Sequence, residues 1–205
     1  MSGDYRSRAE PQTRPNPAAS KILMIDRDGT INRRPPNGGY LTRWDDFDWL
    51  DDNVEAMQQL AKAGYRFIVI SNQAGIGRGI VDLATVEDIN RKMAAGLRER
   101  GVDIVDVYIC PHHPEDNCDC RKPAPGMFRR AAREHSFKLD RSVYIGDDPR
   151  DAVAAHNAGC PSVLIGPERD VDPGNGVAAT FTSATLLGAV AWIEQHFATW
   201  LKDNR

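Results

Sequence analysis

The sequence of 205 residues has no apolar run approaching the roughly 20 residues that a membrane-spanning helix needs. It has little excess charge. Lys and Arg number 26 against 29 Asp and Glu, a formal net charge of −3, which argues against a nucleic-acid binder because such a protein normally shows a basic face. The first 20 residues, Met1 to Ser20, are rich in Arg, Pro and Ser and hold no hydrophobic stretch. They are therefore no secretory signal and are expected to form a disordered leader. No internal repeat and no composition break marks a second domain, so residues 21–205 are expected to form a single domain with a sizeable core. Cysteine is scarce: Cys110, Cys118, Cys120 and Cys160 are all there is. Three of the four crowd one loop beside histidines, a pattern that in a cytoplasmic chain points to metal rather than disulfides. Cys160, after Gly159 and before a predicted strand, reads as a small core residue.

What the chain does have is short apolar, β-branched runs alternating with helical patterns. Strands are predicted at Ile22–Ile25, Phe67–Ile70, Val105–Ile109, Val143–Ile145 and Ser162–Ile165, with a weaker one near Ala179–Phe181. Helical spacing appears at Val54, Met57, Leu60 and Ala61. It recurs at Val86, Ile89, Met93 and Leu97, with Asp82 as N-cap and Gly101 as the stop. Further helices are expected from Pro125 to about His135, from Pro149 to before Gly159, and along Leu186, Val190, Ile193, Phe197 and Leu201 after an N-cap at Ser183. This alternation gives an α/β fold: a Rossmann-like parallel sheet with helices on both faces. Glu168 to Gly176 reads as a surface loop, and the gaps leave little room for a lid domain.

Polar residues follow each of the first strands. Asp26-Arg27-Asp28-Gly29-Thr30 follows the first, and Ser71-Asn72-Gln73-Ala74-Gly75-Ile76-Gly77-Arg78-Gly79 the second. A Cys/His loop ending in Arg121-Lys122-Pro123 follows the third, and Gly146-Asp147-Asp148-Pro149-Arg150-Asp151 the fourth. In a parallel sheet these ends open on one edge, where ligands bind. Carboxylates, a hydroxyl, a Lys and Arg side chains meeting there suit a phosphoryl group with a divalent cation. A phosphate dianion repels a carboxylate nucleophile until Mg²⁺ bridges the two. Asp26 is the expected nucleophile and a metal ligand, and Asp28 the acid and base. Ser71 and Lys122 would hold phosphoryl oxygens, and Asp147 would complete a Mg²⁺ site of Asp26, Asp28 and Asp147. Asp148 before Pro149 also makes a helix N-cap, and Asp151 suits a first helical turn. Either could also reach the metal through water.

The loop Cys110-Pro111-His112-His113-Pro114-Glu115-Asp116-Asn117-Cys118-Asp119-Cys120 offers three thiols and an imidazole for a closed tetrahedral Zn²⁺ site, hence a structural one. Cys110, His112, Cys118 and Cys120 are the expected ligands. His113 competes for the fourth position, and the spacing favours His112. The metal would hold Arg121 and Lys122 over the site.

Together, Asp26-x-Asp28-Gly29-Thr30, Ser71-Asn72, Lys122 and Gly146-Asp147-x-x-x-Asp151 resemble the haloacid dehalogenase (HAD) phosphatases over about Ile22 to Ile165. The zinc loop leading into Cys120-Arg121-Lys122-Pro123 is similar to two capless groups, the D-glycero-D-manno-heptose 1,7-bisphosphate phosphatases and the histidinol-phosphate phosphatases. The run Asn72-Gln73-x-Gly75-Ile76-x-Arg78-Gly79 and Cys110-Pro111-His112-His113-Pro114 resemble the heptose group, in which Arg78 would pair with a second phosphate. The short span from His113 to Cys118 is like the histidinol type. Asp148 stands where the heptose group often has Lys. The resemblance implies hydrolysis of the C7 phosphate through an aspartyl-phosphate, leaving the 1-phosphate for nucleotide activation. It places Asn72, Gln73, Arg78, Arg121, Tyr40 and Asp148 around the substrate, a small sugar phosphate, in a cytoplasmic monomer. The alternatives are a histidinol-phosphate or other small-sugar phosphatase, and a non-catalytic zinc-stabilised binding module. The last would be expected to lack one of Asp26, Asp28, Lys122 or Asp147, and all four are present.

Overall fold

The structure, a computed structural model, describes residues 6–7, 21–166 and 176–203. Seven strands form one sheet in the order β1-β4-β3-β2-β5-β6-β7. They are β1 (Arg6–Ser7), β2 (Lys21–Ile25), β3 (Tyr65–Asn72), β4 (Ile104–Cys110), β5 (Val143–Gly146), β6 (Ser162–Ile165) and β7 (Phe181–Ser183). The pairings are parallel from β4 through to β7, and only β1 runs antiparallel, against Val107 and Tyr108. Those two paired residues are the exception to the leader expected over residues 1–20. The rest of that leader, and the loop Glu168–Gly176 up to its last residue, lie outside the described residues.

The central strands alternate between two cores, because successive strand side chains point to opposite faces. Leu23, Ile25, Phe67, Val69, Val107, Ile109, Val143 and Ile145 pack on one face. Helices α1 (Asp51–Lys62), α3 (Leu83–Glu99) and α6 (Leu186–Asp203) cover it with Val54, Met57, Leu60, Val86, Met93, Leu97, Leu186 and Ile193. On the other face Ile22, Met24, Ile68, Ile70, Tyr108 and Tyr144 meet α4 (Gly126–His135) and α5 (Pro149–Ala158). With a Leu-sized side chain contributing roughly 1.5–3 kcal/mol on full burial, these two layers carry the fold. Cys160 is buried in the second core, as its sequence context implies.

Several boundaries fall where the local chemistry points. Asp82 accepts a hydrogen bond from Thr85 N at 2.7 Å and starts α3. Asp148 caps α5, with Asp151 returning a bond to the Asp148 N–H in a capping box. The cap expected at Ser183 is corrected. Strand β7 extends through Ser183, pairing it with Ile165, and Thr185 Oγ1 accepts from Gly188 N–H at 3.2 Å instead. A short α2 (Ala74–Gly77) and turns of 3₁₀-helix at Pro36–Gly38 and Trp44–Asp46 are additions to the sequence pattern.

The connections fix where a site must lie. From β2 the chain moves to β3 and β4 on one side, then returns to β5 on the other. Strand order therefore reverses at β2/β5, and the crevice outside the carboxyl ends of those strands is the expected binding position. Asp26 N–H still pairs with Ile145 O at 2.9 Å, so the nucleophile candidate is held at the last rung of that ladder. The long segment between β2 and α1 packs as an ordered loop, with Trp44, Phe47 and Trp49 ring centroids 4.7–6.2 Å apart. No helix among the described residues is long and apolar enough to cross a membrane.

Candidate active site and metal centre

The ends of β2, β3 and β5 and the loop after β4 converge. Lys122 Nζ lies 3.0 Å from Asp26 Oδ2, 2.8 Å from Asp151 Oδ1 and 2.6 Å from the Tyr144 hydroxyl. It also donates to Ile70 O at 3.1 Å. All of these groups are buried, so the lysine ammonium is the counter-charge without which two carboxylates could not share the space. Burial works against charging Lys122, but Asp151 and Asp26 outweigh it and hold its pKa above the usual lysine range. Asp26 shows the reverse balance. Desolvation, only partly offset by Lys122, raises its carboxyl to about 6. It is still an anion at neutral pH, and one that its surroundings stabilise poorly.

Asp26, Asp147 and Asp151 each offer an oxygen within 4.8 Å of one another. Of the expected set Asp26, Asp28 and Asp147, the trio contains Asp26 and Asp147, with Asp151 beside them. The Asp28 carboxylate turns aside, where it accepts from Arg27 Nη2 at 2.8 Å, Gln73 Nε2 at 2.9 Å and Asn32 Nδ2 at 3.0 Å. Burial opposes its ionisation, but Arg27 and the amide donors win and hold the carboxyl below its usual range. What Asp28 turns toward Asp147 is its backbone carbonyl: Arg34 Nη2 touches both Asp28 O, at 3.3 Å, and Asp147 Oδ1, at 2.8 Å. Two to three carboxylates and a carbonyl, all hard oxygen donors, fit a small divalent cation that keeps several waters. Burial raises the Asp147 carboxyl above its ordinary range, against the pull of Arg34. Gly29 is required here twice over. Its φ of +92° is left-handed, and a Cβ would overlap the Asp147 carboxylate.

The Cys/His loop closes on itself next to this cluster. Cys110, His112, Cys118 and Cys120 turn their donor atoms to a common point. The Sγ pairs Cys110–Cys118 and Cys118–Cys120 are 3.5 and 3.4 Å apart, and His112 Nδ1 is 3.1 Å from Cys120 Sγ and 3.6 Å from Cys110 Sγ. A tetrahedron with metal–sulfur bonds of about 2.3 Å has sulfur–sulfur edges of about 3.8 Å, so the donors are spaced as such a centre requires. Hydrogen bonding from Cys120 lowers the Cys110 thiol to about 5, while that same contact pushes Cys120 up. His113 points elsewhere, its Nδ1 accepting from Glu115 N–H at 3.3 Å. Gly77 lets α2 lie against the loop, where a Cβ would overlap the backbone of His112 and His113.

Residues 21–159 match the family described as polynucleotide kinase 3 phosphatase. The chain belongs to this family. The D-glycero-beta-D-manno-heptose-1,7-bisphosphate 7-phosphatase of Photorhabdus laumondii is 43% identical over 140 residues, which are 65% of this chain and 73% of that protein. The D,D-heptose 1,7-bisphosphate phosphatase of B. bronchiseptica, crystallised with magnesium and phosphate, superposes with a TM-score of 0.77 at 32% identity. That match covers 86% of this chain and 99% of the other. An HAD-like phosphatase from Mesorhizobium loti reaches a TM-score of 0.78 at 29% identity, covering 95% of each chain. The fold is thus the HAD phosphatase fold, with the α/β sheet and two-faced helical cover that the strand–helix alternation predicts.

Within this phosphatase fold the remaining expected residues separate. Ser71 is buried at the end of β3, and Gln73 Nε2 donates to its hydroxyl at 3.1 Å. Gln73 is itself buried and links Ser71, Asp28 and Arg27. Asn72 grips the backbone of Lys122, with Nδ2 donating to Lys122 O at 3.1 Å and Oδ1 accepting from Lys122 N–H at 3.0 Å. Asp148 is committed to the α5 cap and to ion pairs with Arg150 and Arg34, which hold its carboxyl well below the usual range against burial. Tyr40 packs on Gly75, Arg78 is exposed at the end of α2, and Arg121 flanks Lys122 with Nη1 buried and unpartnered. Three contributors had no signal strong enough to single them out. Tyr144 lies in the middle of a strand, Asn90 on α3 accepts from Arg27 Nη1 at 2.9 Å, and Arg34 sits in a loop.

Proposed function

We propose that this chain is a Mg²⁺-dependent sugar-phosphate phosphatase that removes the C7 phosphate of D-glycero-D-manno-heptose 1,7-bisphosphate and leaves the 1-phosphate in place. The observation that carries it is the buried Lys122 between Asp26 and Asp151, beside a carboxylate trio at the sheet's switch point. The substrate assignment rests on the relatives that bear this name and on the run Asn72-Gln73-x-Gly75-Ile76-x-Arg78-Gly79.

Bound at Asp26, Asp147 and Asp151, with the Asp28 carbonyl, Mg²⁺ would neutralise phosphoryl charge and fix the line of attack. An Asp26 oxygen attacks phosphorus, and the bond from phosphorus to the sugar oxygen breaks. The departing oxygen takes the proton carried by Asp28. An aspartyl-phosphate remains. Asp28, now a carboxylate, takes a proton from water. The water oxygen bonds to phosphorus, and the phosphorus–Asp26 bond breaks to release inorganic phosphate. Lys122 and Ser71 stabilise the charge on the phosphoryl oxygens. Asp28 is held as an anion by Arg27, Gln73 and Asn32, so the resting site is set for the second half. For the first half, the incoming dianion favours the protonated form, because like charge raises a carboxyl pKa.

Zn²⁺ at Cys110, His112, Cys118 and Cys120 serves as a structural clamp. It pins a loop with little apolar content and so holds Arg121 and Lys122 against the sheet. The enzyme is proposed to act on its small-molecule substrate as a cytoplasmic monomer. The test is a turnover panel with α- and β-heptose 1,7-bisphosphate and histidinol phosphate in Mg²⁺, followed by ³¹P NMR. Release of one phosphate equivalent, with the anomeric phosphate retained, is expected. Hydrolysis of histidinol phosphate with neither heptose substrate consumed would reject the assignment.

A further inference from the structure

Arg34 occupies an unusual position for a loop arginine. One nitrogen, Nη2, sits 2.8 and 3.0 Å from the two Asp147 oxygens and 3.3 Å from the Asp28 carbonyl. Its Nη1 is 3.5 Å from Asp148 Oδ2. Asp147 is one of the three carboxylates, with Asp26 and Asp151, whose oxygens lie within 4.8 Å of one another. Lys122 already closes the far side of that cluster through Asp26 and Asp151. The guanidinium therefore puts a cationic nitrogen on the third carboxylate of the trio. Its side chain is 41% exposed, and it is carried by the loop between β2 and α1, ahead of a turn at Pro36–Gly38. A long side chain on such a base can leave without disturbing the sheet.

We propose that Arg34 is an intramolecular competitor for the divalent-cation position, so that metal entry and release of the guanidinium toward the phosphate-binding rim are one exchange. This rests on the Mg²⁺ site assigned above. Without metal, Arg34 keeps Asp147, Asp148 and the Asp28 carbonyl from repelling one another. With metal, the ion takes over Asp147 and the carbonyl. The planar fork, which pairs well with phosphate oxygens, is then free at the mouth of the site. The exchange keeps the local charge from rising by the full value of the ion, and it places a substrate-positioning arginine only when the site is loaded. Arg150 makes the natural comparison. It is also a rim arginine, yet its guanidinium hydrogen bonds go to the Asp148 carboxylate.

The experiment is isothermal calorimetry of Mg²⁺ binding to the full-length, zinc-loaded chain, without substrate. Removing the competitor by Arg34→Gln is expected to tighten Mg²⁺ binding about two- to fivefold, the upper part of the range for a partly exposed ion pair. Arg150→Gln removes a neighbouring charge without vacating the cation position, and is expected to change affinity less than Arg34→Gln. Arg34→Met replaces the glutamine variant should that one fail to fold. Unchanged or weaker Mg²⁺ binding in Arg34→Gln overturns the exchange, and so does an equal gain in both variants, which would reduce the effect to general electrostatics. Absence of Mg²⁺ binding in the unmodified chain removes the metal assignment itself, a failure distinct from the other two.

Discussion

Replacing Asp26, the proposed nucleophile, should make the protein more stable at neutral pH. Asp26, Asp151 and Lys122 are all buried, so two negative charges share one positive charge where water is excluded. Desolvation raises the Asp26 carboxyl from 3.8 to about 6. In the unfolded chain the same group titrates near its ordinary value. Between these two values the folded state holds more protons than the unfolded state, so this group makes stability fall as pH rises through that interval. Above about pH 6 the folded protein carries the whole penalty, at most about 3 kcal/mol for a shift of this size. Asp26→Asn keeps the shape and the acceptor for the Arg27 N–H, now 2.7 Å from Asp26 Oδ1, while leaving Lys122 and Asp151 as a balanced pair. The variant is therefore expected to gain about 1–3 kcal/mol at pH 7.5, or about 2–10 °C in melting temperature for a chain of this length. The gain should shrink toward zero near pH 4. The assay is thermal unfolding of both proteins across that range, with zinc retained and Mg²⁺ omitted. Phosphatase turnover of the variant is measured alongside and should vanish. A difference independent of pH, or a variant less stable than the parent at pH 7.5, would refute the charge accounting.

Two predictions concern the metal centres. Complete removal of zinc should lower melting temperature and activity together, whereas removal of Mg²⁺ should stop turnover and leave the fold intact. A melting curve unchanged after zinc removal would sink the structural role. His112→Ala should lose stoichiometric zinc, read by elemental analysis, while His113→Ala keeps it, because His113 Nδ1 is used on Glu115 N–H. Zinc loss in His113→Ala with retention in His112→Ala would reverse the ligand assignment.

The strands were legible because buried parallel strands read as short apolar runs, and the motifs were legible because each follows such a run. From that much, Asp26, Ser71, Lys122 and Asp147 could be brought to one edge without coordinates. Side-chain direction was not legible. Asp28 follows Asp26 by two residues and looks like a second metal ligand. Its orientation is set by Arg27, a fully buried arginine anchored by Asn90 from a helix 63 residues away in sequence. Spacing along the chain carries no trace of that contact. Tyr144 was hidden for a different reason. In a strand it reads as core, and it is core, packed edge-on against Phe128 with centroids 4.7 Å apart, but its hydroxyl ends between Lys122 and Asp151. Ser183 has the side chain of an N-cap, and its pairing with Ile165 of β6 overrides that local preference.

The distribution of counter-charges is what favours Asp26, rather than its acidic neighbours, as the proposed nucleophile. Asp28 has Arg27 with two amide donors, and Asp148 has Arg150 with the α5 N-terminus. Asp147 has Arg34 to both oxygens. Asp151 has Lys122, the Tyr144 hydroxyl and the Asp148 N–H. Asp26 and Asp151 share one cation while both are buried, but Asp151 also has the Tyr144 hydroxyl and the Asp148 N–H, and burial raises the Asp26 carboxyl to about 6. A poorly stabilised anion is a better nucleophile than a well-paired one, and it is also the group with most to gain from a divalent ion. The fold therefore gives Asp26 less compensation than it gives the other acids, and a bound Mg²⁺ would supply the remainder.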